Sequence, residues 1–322
     1  MGVGKKKGPR LPRLPRGAWL KEYPFRPNYF ERPGGYYLHY LDEGRGEPVL
    51  LVHGNPGWSF MYRDLIKTLA SDYRCLALDH LGMGLSSRPL ARTYGFRLTD
   101  RINDLSAWID SLELPGPVHL VAHDWGGPIG LGWAGANPSR LASLTLMNTG
   151  LGLPQGYALS PKLGLFRRTG FLGRFLAHRL NLFLNGLTRY GSVRPLPPTV
   201  IEGWLAPYRF SFLREAIGRF VEDIPLSPRH PSWGALGSVE RSFGGLAEVP
   251  TFLVWGLADF VFTPVFLADW RARRPNAQVL ALPRAGHLLL EDEPEKIIPA
   301  IRQFLRQTQR LGRAEVHDGP GQ

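Results

Sequence analysis

The chain has 322 residues, of which 43% are hydrophobic and 20% charged, an ordinary composition for a globular protein with a sizeable core. Its one cysteine, Cys75, excludes an intramolecular disulfide and favours a reducing compartment. No apolar stretch approaches the roughly 20 residues that cross a bilayer, and no secretory leader is recognisable, so we expect a cytoplasmic protein.

The net charge of +12 is unevenly distributed. Seven lysines and arginines against one glutamate give +6 over residues 1–22, and ten against two give +8 over residues 151–220. One interpretation is a solvated tail and a solvated helical surface. The other is attraction of these basic segments to an anionic membrane surface or to an acidic partner protein. We expect no nucleic acid partner, because no basic motif interleaved with aromatic residues occurs.

Strands alternate with helices from Tyr37 onwards, which is typical of a mostly parallel sheet covered by helices on both faces. Apolar runs predict six strands, at residues 48–52, 74–78, 118–122, 141–147, 251–255 and 278–282. Helical spacing predicts five helices between them, at about residues 60–71, 99–113, 126–137, 263–273 and 294–309.

Residues 152–235 interrupt this alternation. They are rich in Leu, Phe, Arg and Pro at helical spacing, which predicts a helical cap domain over the carboxyl edge of the sheet, where ligands bind. Five aromatic residues are expected to form the cap core and part of the pocket: Phe166, Phe171, Phe175, Phe183 and Trp204. The predicted division is a disordered tail at 1–22, a core at 23–151 and 236–310, the cap, and a C-terminal tail at 311–322.

The turn after the strand at 118–122 has the pattern of a nucleophile elbow with Asp124 at its apex. Ala122 and Gly126, two residues to either side, are small, as the strained backbone of such a turn requires. The dipole of the following helix favours a carboxylate at this place. An Asp nucleophile displaces a leaving group from carbon and forms an alkyl-enzyme ester, which water must then cleave.

Cleavage of that ester needs a general base and a residue that orients it. His287 lies just past the last predicted strand, and Asp259 follows the preceding strand. The order Asp124, Asp259, His287 matches the chain order of the α/β-hydrolase triad. An acid after the strand that ends at Met147 is the alternative, but that position is Asn148, which cannot be an anionic partner.

Two donors are expected beside the nucleophile. The backbone N–H groups of Asn55 and Trp125 are predicted to form an oxyanion hole over the ester carbonyl. Their side chains add a carboxamide and an indole N–H, which are neutral donors. Two neutral donors suit a leaving halide, and they suit a leaving carboxylate equally.

These motifs resemble the haloalkane dehalogenase family of the α/β-hydrolase fold, over residues 23–310. The matching segments are residues 53–56, 79–86, 123–127 and 255–259. An acid after the penultimate strand and an Asn donor are typical of that family's third subfamily, which includes β-lactone decarboxylases of bacterial long-chain olefin biosynthesis. Residues 219–226 and 259–262 look particularly like the latter. The resemblance implies the following roles: Asp124 as nucleophile, His287 as base, Asp259 as acid, and Asn55 with Trp125 holding the leaving anion.

Several functions remain open for a hydrophobic small-molecule substrate. The principal prediction is hydrolytic dehalogenation, in which halide leaves an alkyl carbon. The alternative is opening and decarboxylation of a cis-3-alkyl-4-alkyl β-lactone. Epoxide hydrolysis would need tyrosine donors, for which Tyr157, Tyr190 and Tyr208 are the candidates by location. A non-catalytic scaffold is disfavoured because the triad is unbroken.

Other residues are expected to have structural roles. His53, His80 and His123 are predicted to fill hydrogen-bonding positions around the loops. No histidine and carboxylate cluster has the spacing of metal ligands, so we expect neither a metal nor another cofactor.

Overall fold

The computed structural model describes residues 15–154, Tyr157 and residues 181–317, with side chains to Gln309. Within these residues, eight strands form one sheet: β1 (Asn28–Arg32), β2 (Tyr36–Glu43), β3 (Glu47–Val52), β4 (Tyr73–Leu78), β5 (Val118–His123), β6 (Leu141–Met147), β7 (Thr251–Gly256) and β8 (Gln278–Leu282). Their order in the sheet is β1-β2-β4-β3-β5-β6-β7-β8. The pairs β1–β2 and β2–β4 are antiparallel, and the other neighbouring pairs are parallel.

The central strands are continuous apolar runs because helices cover both faces of the sheet. Every residue of β5 and of β7 is buried, whereas the edge strand β8 is largely exposed. In the parallel register Val52 pairs with Ala122, and His123 pairs with Met147. The chain therefore leaves these neighbouring strands at one common edge of the sheet.

The described residues contain ten α-helices: α1 (Arg63–Leu69), α2 (Leu98–Ser111), α3 (Gly126–Ala136), α4 (Leu182–Tyr190), α5 (Pro198–Leu205), α6 (Glu215–Glu222), α7 (Trp233–Phe243), α8 (Pro264–Arg273), α9 (Leu289–Asp292) and α10 (Pro294–His317). α1 packs against α10, which contacts β6 and β7, while α2 and α7 pack against α3. No described helix combines the length and the apolar character that a membrane crossing needs.

All six predicted strands and all five predicted helices are confirmed, with shifts at their ends. The helix predicted at 60–71 divides into a 3-10 helix, Ser59–Tyr62, followed by α1. β1 was not predicted. It is a short edge strand of mixed polarity, Asn-Tyr-Phe-Glu-Arg, and lacks the apolar run that identifies the buried strands.

The boundaries predicted for the two tails are wrong. Ala18–Lys21 forms a 3-10 helix, and the side chain of Trp19 is fully buried. Its ring lies 5.5 Å from the Trp58 ring, and its backbone N–H donates to Glu202 Oε2 at 3.2 Å. Residues 1–14 of the predicted tail lie outside the described residues. At the other end α10 continues to His317, seven residues beyond the predicted end of the core at 310.

The segment predicted as a cap lies between β6 and β7 in the chain, and its described part contains helices and no strand. Its predicted end at residue 235 falls inside α7, which packs on α3 and belongs to the core. Trp204 is buried and Phe183 partly buried. Phe166, Phe171 and Phe175 lie outside the described residues.

Candidate active site

The carboxyl ends of five parallel strands bring the predicted site residues together. Asn55 follows β3, Asp124 follows β5, Asp259 follows β7 and His287 follows β8. Asn148 directly follows β6, which lies between β5 and β7 in the sheet. All five side chains are buried. This is the edge at which open α/β sheets bind their ligands.

The turn that carries Asp124 is strained. Its φ of 53° lies in the left-handed region, which residues other than glycine rarely adopt. A Cβ on Gly126 would lie 2.0 Å from the carbonyl oxygen of Val52, and one on Gly54 would lie 2.1 Å from Asp124 Oδ1. Because only glycine fits at these two positions, the backbone can approach closely enough to present the carboxylate at the sheet edge.

Two backbone amides hold the Asp124 carboxylate. The Asn55 N–H donates to Oδ1 at 2.6 Å, and the Trp125 N–H also donates to this carboxylate. Burial raises the pKa of Asp124 to about 6, although His287 and the two amides favour the ionised form. The group is therefore mostly ionised at pH 7. Because Oδ1 accepts the Asn55 N–H, Oδ2 is the oxygen that can attack carbon.

His287 and Asp259 form a buried hydrogen-bonded pair. His287 Nδ1 donates to Asp259 Oδ2 at 2.9 Å, and Asn148 Nδ2 donates to the same oxygen at 2.7 Å. The Val261 N–H donates to Oδ1, also at 2.7 Å. Burial opposes ionisation of Asp259, but the charge of His287 and these hydrogen bonds hold its pKa below the ordinary value. The ionised Asp259 therefore fixes the orientation of the imidazole.

The second ring nitrogen of His287 faces the nucleophile. His287 Nε2 lies 4.0 Å from Asp124 Oδ2, beyond hydrogen-bonding distance. Burial alone lowers the pKa of His287, but Asp259, with a smaller contribution from Asp124, raises it overall above the ordinary value. A water held between the two atoms would be within reach of the base and of an ester on Asp124, which is the geometry that ester hydrolysis requires.

The two side chains expected to hold the leaving anion both contact α6 of the cap. Asn55 Nδ2 donates to the carbonyl oxygen of Ile217 at 3.3 Å, a contact that the sequence did not predict. Because a carboxamide has two N–H donors, one remains for a ligand. The rings of Trp125 and Phe220 lie 5.7 Å apart. Both residues therefore contact the cap as well as the sheet edge that carries them.

A cavity of about 320 Å³ joins these groups to the cap. Asn55, Asp124, Trp125 and His287 line it at the sheet edge. The rest of the wall is largely apolar and includes Leu153, Leu182, Phe183, Leu187, Val221, Ile224, Phe260, Phe262 and Phe266. Both segments that resemble the β-lactone decarboxylases, 219–226 and 259–262, contribute residues to this wall.

Comparisons with known proteins show the family to which the chain belongs. A family profile described as the α/β hydrolase fold matches residues 47–294. The chain belongs to the α/β-hydrolase fold family. A Shewanella oneidensis protein named cis-3-alkyl-4-alkyloxetan-2-one decarboxylase is 40% identical over 290 residues, 89% of this chain and 91% of the relative. Haloalkane dehalogenase 2 of Mycobacterium tuberculosis is 30% identical over 294 residues, 87% of this chain and 94% of the relative.

A solved haloalkane dehalogenase has the same architecture as this α/β hydrolase. The crystal structure of the DatA enzyme from Agrobacterium tumefaciens matches with a TM-score of 0.77 at 26% identity, covering 88% of this chain and 97% of the other. Relatives named for two reactions, lactone decarboxylation and dehalogenation, therefore share this hydrolase's fold. The decarboxylase is the more similar of the two relatives described above.

Two residues of this hydrolase support the site in ways that the sequence did not indicate. Asn148 was considered only as a position that lacks an acid, yet it donates to Asp259 and its Oδ1 accepts the Gly256 N–H at 2.7 Å. His123 Nε2 donates to the backbone carbonyl of His287 at 3.0 Å. Burial lowers the pKa of His123 to about 3, so the ring stays neutral. Both contacts depend on the order of the strands in the sheet, which no local motif predicts.

The other two predicted structural histidines hold the loop after β3. The His80 N–H donates to His53 Nε2 at 3.1 Å, and His80 Nε2 donates to the His53 carbonyl at 2.9 Å. Both rings are buried, away from the cavity lining. Within the part of the chain that the structure describes, no group of three or more His, Cys, Asp or Glu could hold a metal ion.

The three tyrosines considered for epoxide opening differ in their positions relative to the cavity. Tyr157 lines the cavity, but its hydroxyl donates to the Val261 carbonyl at 2.9 Å. Tyr190 also lines the cavity and is 63% exposed. Tyr208 is fully buried and accepts the Gly84 N–H at 3.1 Å, away from the cavity. Of the three, Tyr157 and Tyr190 therefore line the cavity and Tyr208 does not.

Proposed function

We propose that this protein opens cis-3-alkyl-4-alkyl β-lactones and decarboxylates them to alkenes. One observation carries the proposal: the Asp124 carboxylate lines an apolar cavity together with the neutral donors Asn55 and Trp125. A carboxylate in such a place attacks carbon and releases an anion. The choice of a lactone rests on the relatives, since identity is 40% to the named decarboxylase and 30% to the named dehalogenase.

The first step is displacement at C4, the ring carbon bonded to the lactone ring oxygen. Asp124 Oδ2 forms a bond to C4 as the bond between C4 and the ring oxygen breaks. The electron pair stays on that oxygen, so a carboxylate forms that remains attached at C3. The Asn55 carboxamide and the Trp125 indole N–H would donate to this carboxylate, while the backbone N–H of Asn55 keeps Oδ1 in place.

The second step returns the nucleophile to its starting state. The bond between C3 and the carboxylate breaks and releases carbon dioxide. Its electron pair forms the C3–C4 double bond, and the bond from C4 to Asp124 Oδ2 breaks. The products are an alkene and carbon dioxide, Asp124 is again a carboxylate, and no water or proton is consumed. An apolar cavity favours this step because a carboxylate poorly solvated by water loses carbon dioxide more readily.

Hydrolytic dehalogenation is the second candidate, favoured by the intact pair of His287 and Asp259. The lactone route needs no proton transfer, whereas hydrolysis of an alkyl ester on Asp124 needs a base to activate water. His287 Nε2 lies 4.0 Å from Asp124 Oδ2, a distance at which the imidazole can activate a water for attack on that ester. We therefore propose dehalogenation of small haloalkanes as an accompanying activity.

The test is a direct comparison of two substrates of matched chain length. The protein is incubated with a cis-3,4-dialkyl β-lactone and with a 1-bromoalkane, and alkene and bromide are measured. We expect kcat/KM for alkene formation to exceed that for bromide release by about tenfold or more. In water enriched in oxygen-18, bromoalkane turnover should label the Asp124 carboxylate and lactone turnover should not.

Matched variants complete this test. Asp124→Asn should lower both activities by about a thousandfold. Asp110→Asn makes the same change in an exposed side chain that pairs with Arg140, and should leave both unchanged. Absence of alkene, or alkene formation that survives Asp124→Asn, would overturn the proposed function.

A further inference from the structure

The short helix α9 begins two residues after His287 and ends at Asp292, whose side chain is fully buried. A buried carboxylate must be paired or hydrogen-bonded to remain charged without a large cost. The Asp292 carboxylate is held by four hydrogen-bond donors. These donors come from two separate parts of the chain, which makes the side chain a bridge.

One end of the bridge is the loop that carries the base. Oδ2 of the carboxylate accepts the backbone N–H of Gly286, the residue before His287, at 2.7 Å. The other end is the cap. Oδ1 accepts the Ser192 hydroxyl at 2.5 Å and the backbone N–H groups of Val193 and Arg194 at 2.8 and 3.1 Å. These three residues directly follow α4.

A second contact joins the same two segments. The Leu288 N–H donates to the Gly191 carbonyl at 2.8 Å. Gly286 lies so close to that carbonyl that a Cβ at its position would be 2.7 Å from the oxygen. Gly191 directly follows α4, which contributes Phe183 and Leu187 among other residues to the cavity wall. The cavity wall and the His287 loop therefore form one hydrogen-bonded unit.

We propose that Asp292 is a positioning residue that fixes the distance between His287 and Asp124. It also links this distance to the position of α4 in the cavity wall. The inference rests on the proposed function only through the accompanying dehalogenation, in which His287 is the base that activates water. The 4.0 Å between His287 Nε2 and Asp124 Oδ2 makes the site sensitive, because a displacement of about 1 Å at such a distance costs much of the rate. A movement of α4, including one caused by a substrate in the cavity, therefore changes the position of His287 through Asp292.

The test replaces the carboxylate by a carboxamide of the same shape. Both ends of the bridge present donors, so an NH2 group at either end breaks one attachment. In Asp292→Asn we expect the His287 pKa, measured by NMR titration of labelled histidine, to fall toward the ordinary histidine value. The imidazole would then have lost part of its contact with Asp259. With a 1-bromoalkane, hydrolysis of the alkyl-enzyme should slow about tenfold and alkylation of Asp124 less than threefold.

Glu291→Gln is the matched control, since Glu291 also fastens the cap to α9. Its side chain accepts Arg63 Nη1 at 2.6 Å and Trp204 Nε1 at 2.9 Å but is not bonded to the His287 loop. We expect it to lower the melting temperature without moving the His287 pKa. Ser192→Ala, which removes one donor to Asp292, should shift that pKa in the same direction as Asp292→Asn but less.

The outcomes separate the two proposals. If Asp292→Asn and Ser192→Ala melt at lower temperature but keep the wild-type His287 pKa and the wild-type ratio of the two rates, Asp292 is only structural and the inference is overturned. The titration needs no substrate. It therefore tests the inference even if the wild-type protein forms no alkene, a result that would contradict the proposed function alone.

Discussion

At the scale of single residues, the protonation of Asp124 sets the pH at which the reaction begins. Burial raises its pKa to about 6, and only the carboxylate form attacks carbon. Activity present at pH 8 should therefore be lost as the pH falls through about 6. We expect kcat/KM for the β-lactone, measured from about pH 4 to 9, to follow one ionisation near this value.

The pH profile of dehalogenation can be compared with that of alkene formation in the same protein. Its second step needs neutral His287, whose pKa is raised overall by Asp259 and Asp124 although burial lowers it. Since neutral imidazole accumulates only above that raised pKa, kcat for bromide release with saturating 1-bromoalkane, a rate that includes ester hydrolysis, should reach its plateau at a higher pH than alkene formation. A lactone profile without an acid limb would contradict the assignment of Asp124 as nucleophile.

Asn148 offers a second prediction at this scale. Asn148→Ala removes the donor to Asp259 Oδ2 and both contacts with Gly256. Unsatisfied buried groups remain, so the free energy of unfolding should fall by about 1–3 kcal/mol. The steady-state kcat for bromide release, which requires His287 to hydrolyse the ester in each turnover, should slow about tenfold. Chemical denaturation and steady-state kinetics measure the two effects.

Thr145→Val is the control for Asn148→Ala. Thr145 is buried on the same strand, β6, and its hydroxyl has no hydrogen-bond partner among the described residues. Valine is an apolar side chain of the same shape. It should leave the free energy of unfolding unchanged and the rate of bromide release within about twofold of the wild type. Equal losses in the two variants would mean that the effect of Asn148→Ala comes from packing and not from its contact with Asp259.

The sequence predicted which residues approach one another at the site better than which residues support them. Asp124, Asp259 and His287 each follow a recognisable strand, so topology alone brings them to one edge. Asn148 and Asp292 act through contacts with neighbouring strands and with the cap, at distances that no spacing along the chain records. Their roles could be inferred only once the sheet order and the cap position were known.

At the scale of elements, the buried central strands were predictable because each is a continuous apolar run. The first elements were not. The 3-10 helix Ala18–Lys21 directly follows a stretch rich in Lys, Pro and Gly, and one aromatic residue, Trp19, carries its packing. β1 is short and mixed in polarity. Because the residues before this 3-10 helix are rich in Lys, Pro and Gly, the sequence predicted residues 18–22 to be part of a tail, although Trp19 is buried.

Trp19 tests whether this segment belongs to the fold. Its ring is fully buried between Trp58, Tyr23 and Phe60. Trp19→Ala should lower the free energy of unfolding by about 3–5 kcal/mol, as for other large core side chains. Lys21→Ala, two residues away and exposed, should change it by less than about 0.5 kcal/mol. Urea denaturation followed by circular dichroism compares them, and equal midpoints would contradict the packing described here.

At the scale of the whole molecule, the basic charge is concentrated in the N-terminal tail and the cap. The cavity that we propose for two alkyl chains is lined by cap residues. We propose that these positive segments bring the protein to an anionic membrane surface, where apolar substrates collect. Co-sedimentation with vesicles containing phosphatidylserine should be strong at low salt and lost at about 0.5 M salt, because such attraction is screened.

A charge-matched pair of variants tests the location of this attraction. Reversing Arg167 and Arg168 of the cap, which lie outside the described residues, should weaken vesicle binding more than tenfold. Reversing Arg271 and Arg284, which are exposed on the core, changes the net charge equally and should have an effect below about threefold. Failure to sediment with anionic vesicles at low salt would exclude membrane docking and leave an acidic protein as the partner to seek.

The central claim is that the Asp124 carboxylate attacks carbon, and the most direct measurement is the mass of its peptide. His287→Ala is incubated with a 1-bromoalkane, digested and examined by mass spectrometry. Without its base the ester cannot be hydrolysed, so the peptide that contains Asp124 should gain one alkyl group, and this gain should be absent when Asp124→Asn is added. An unmodified Asp124 peptide, or an alkyl group that persists in the double variant, would contradict the account.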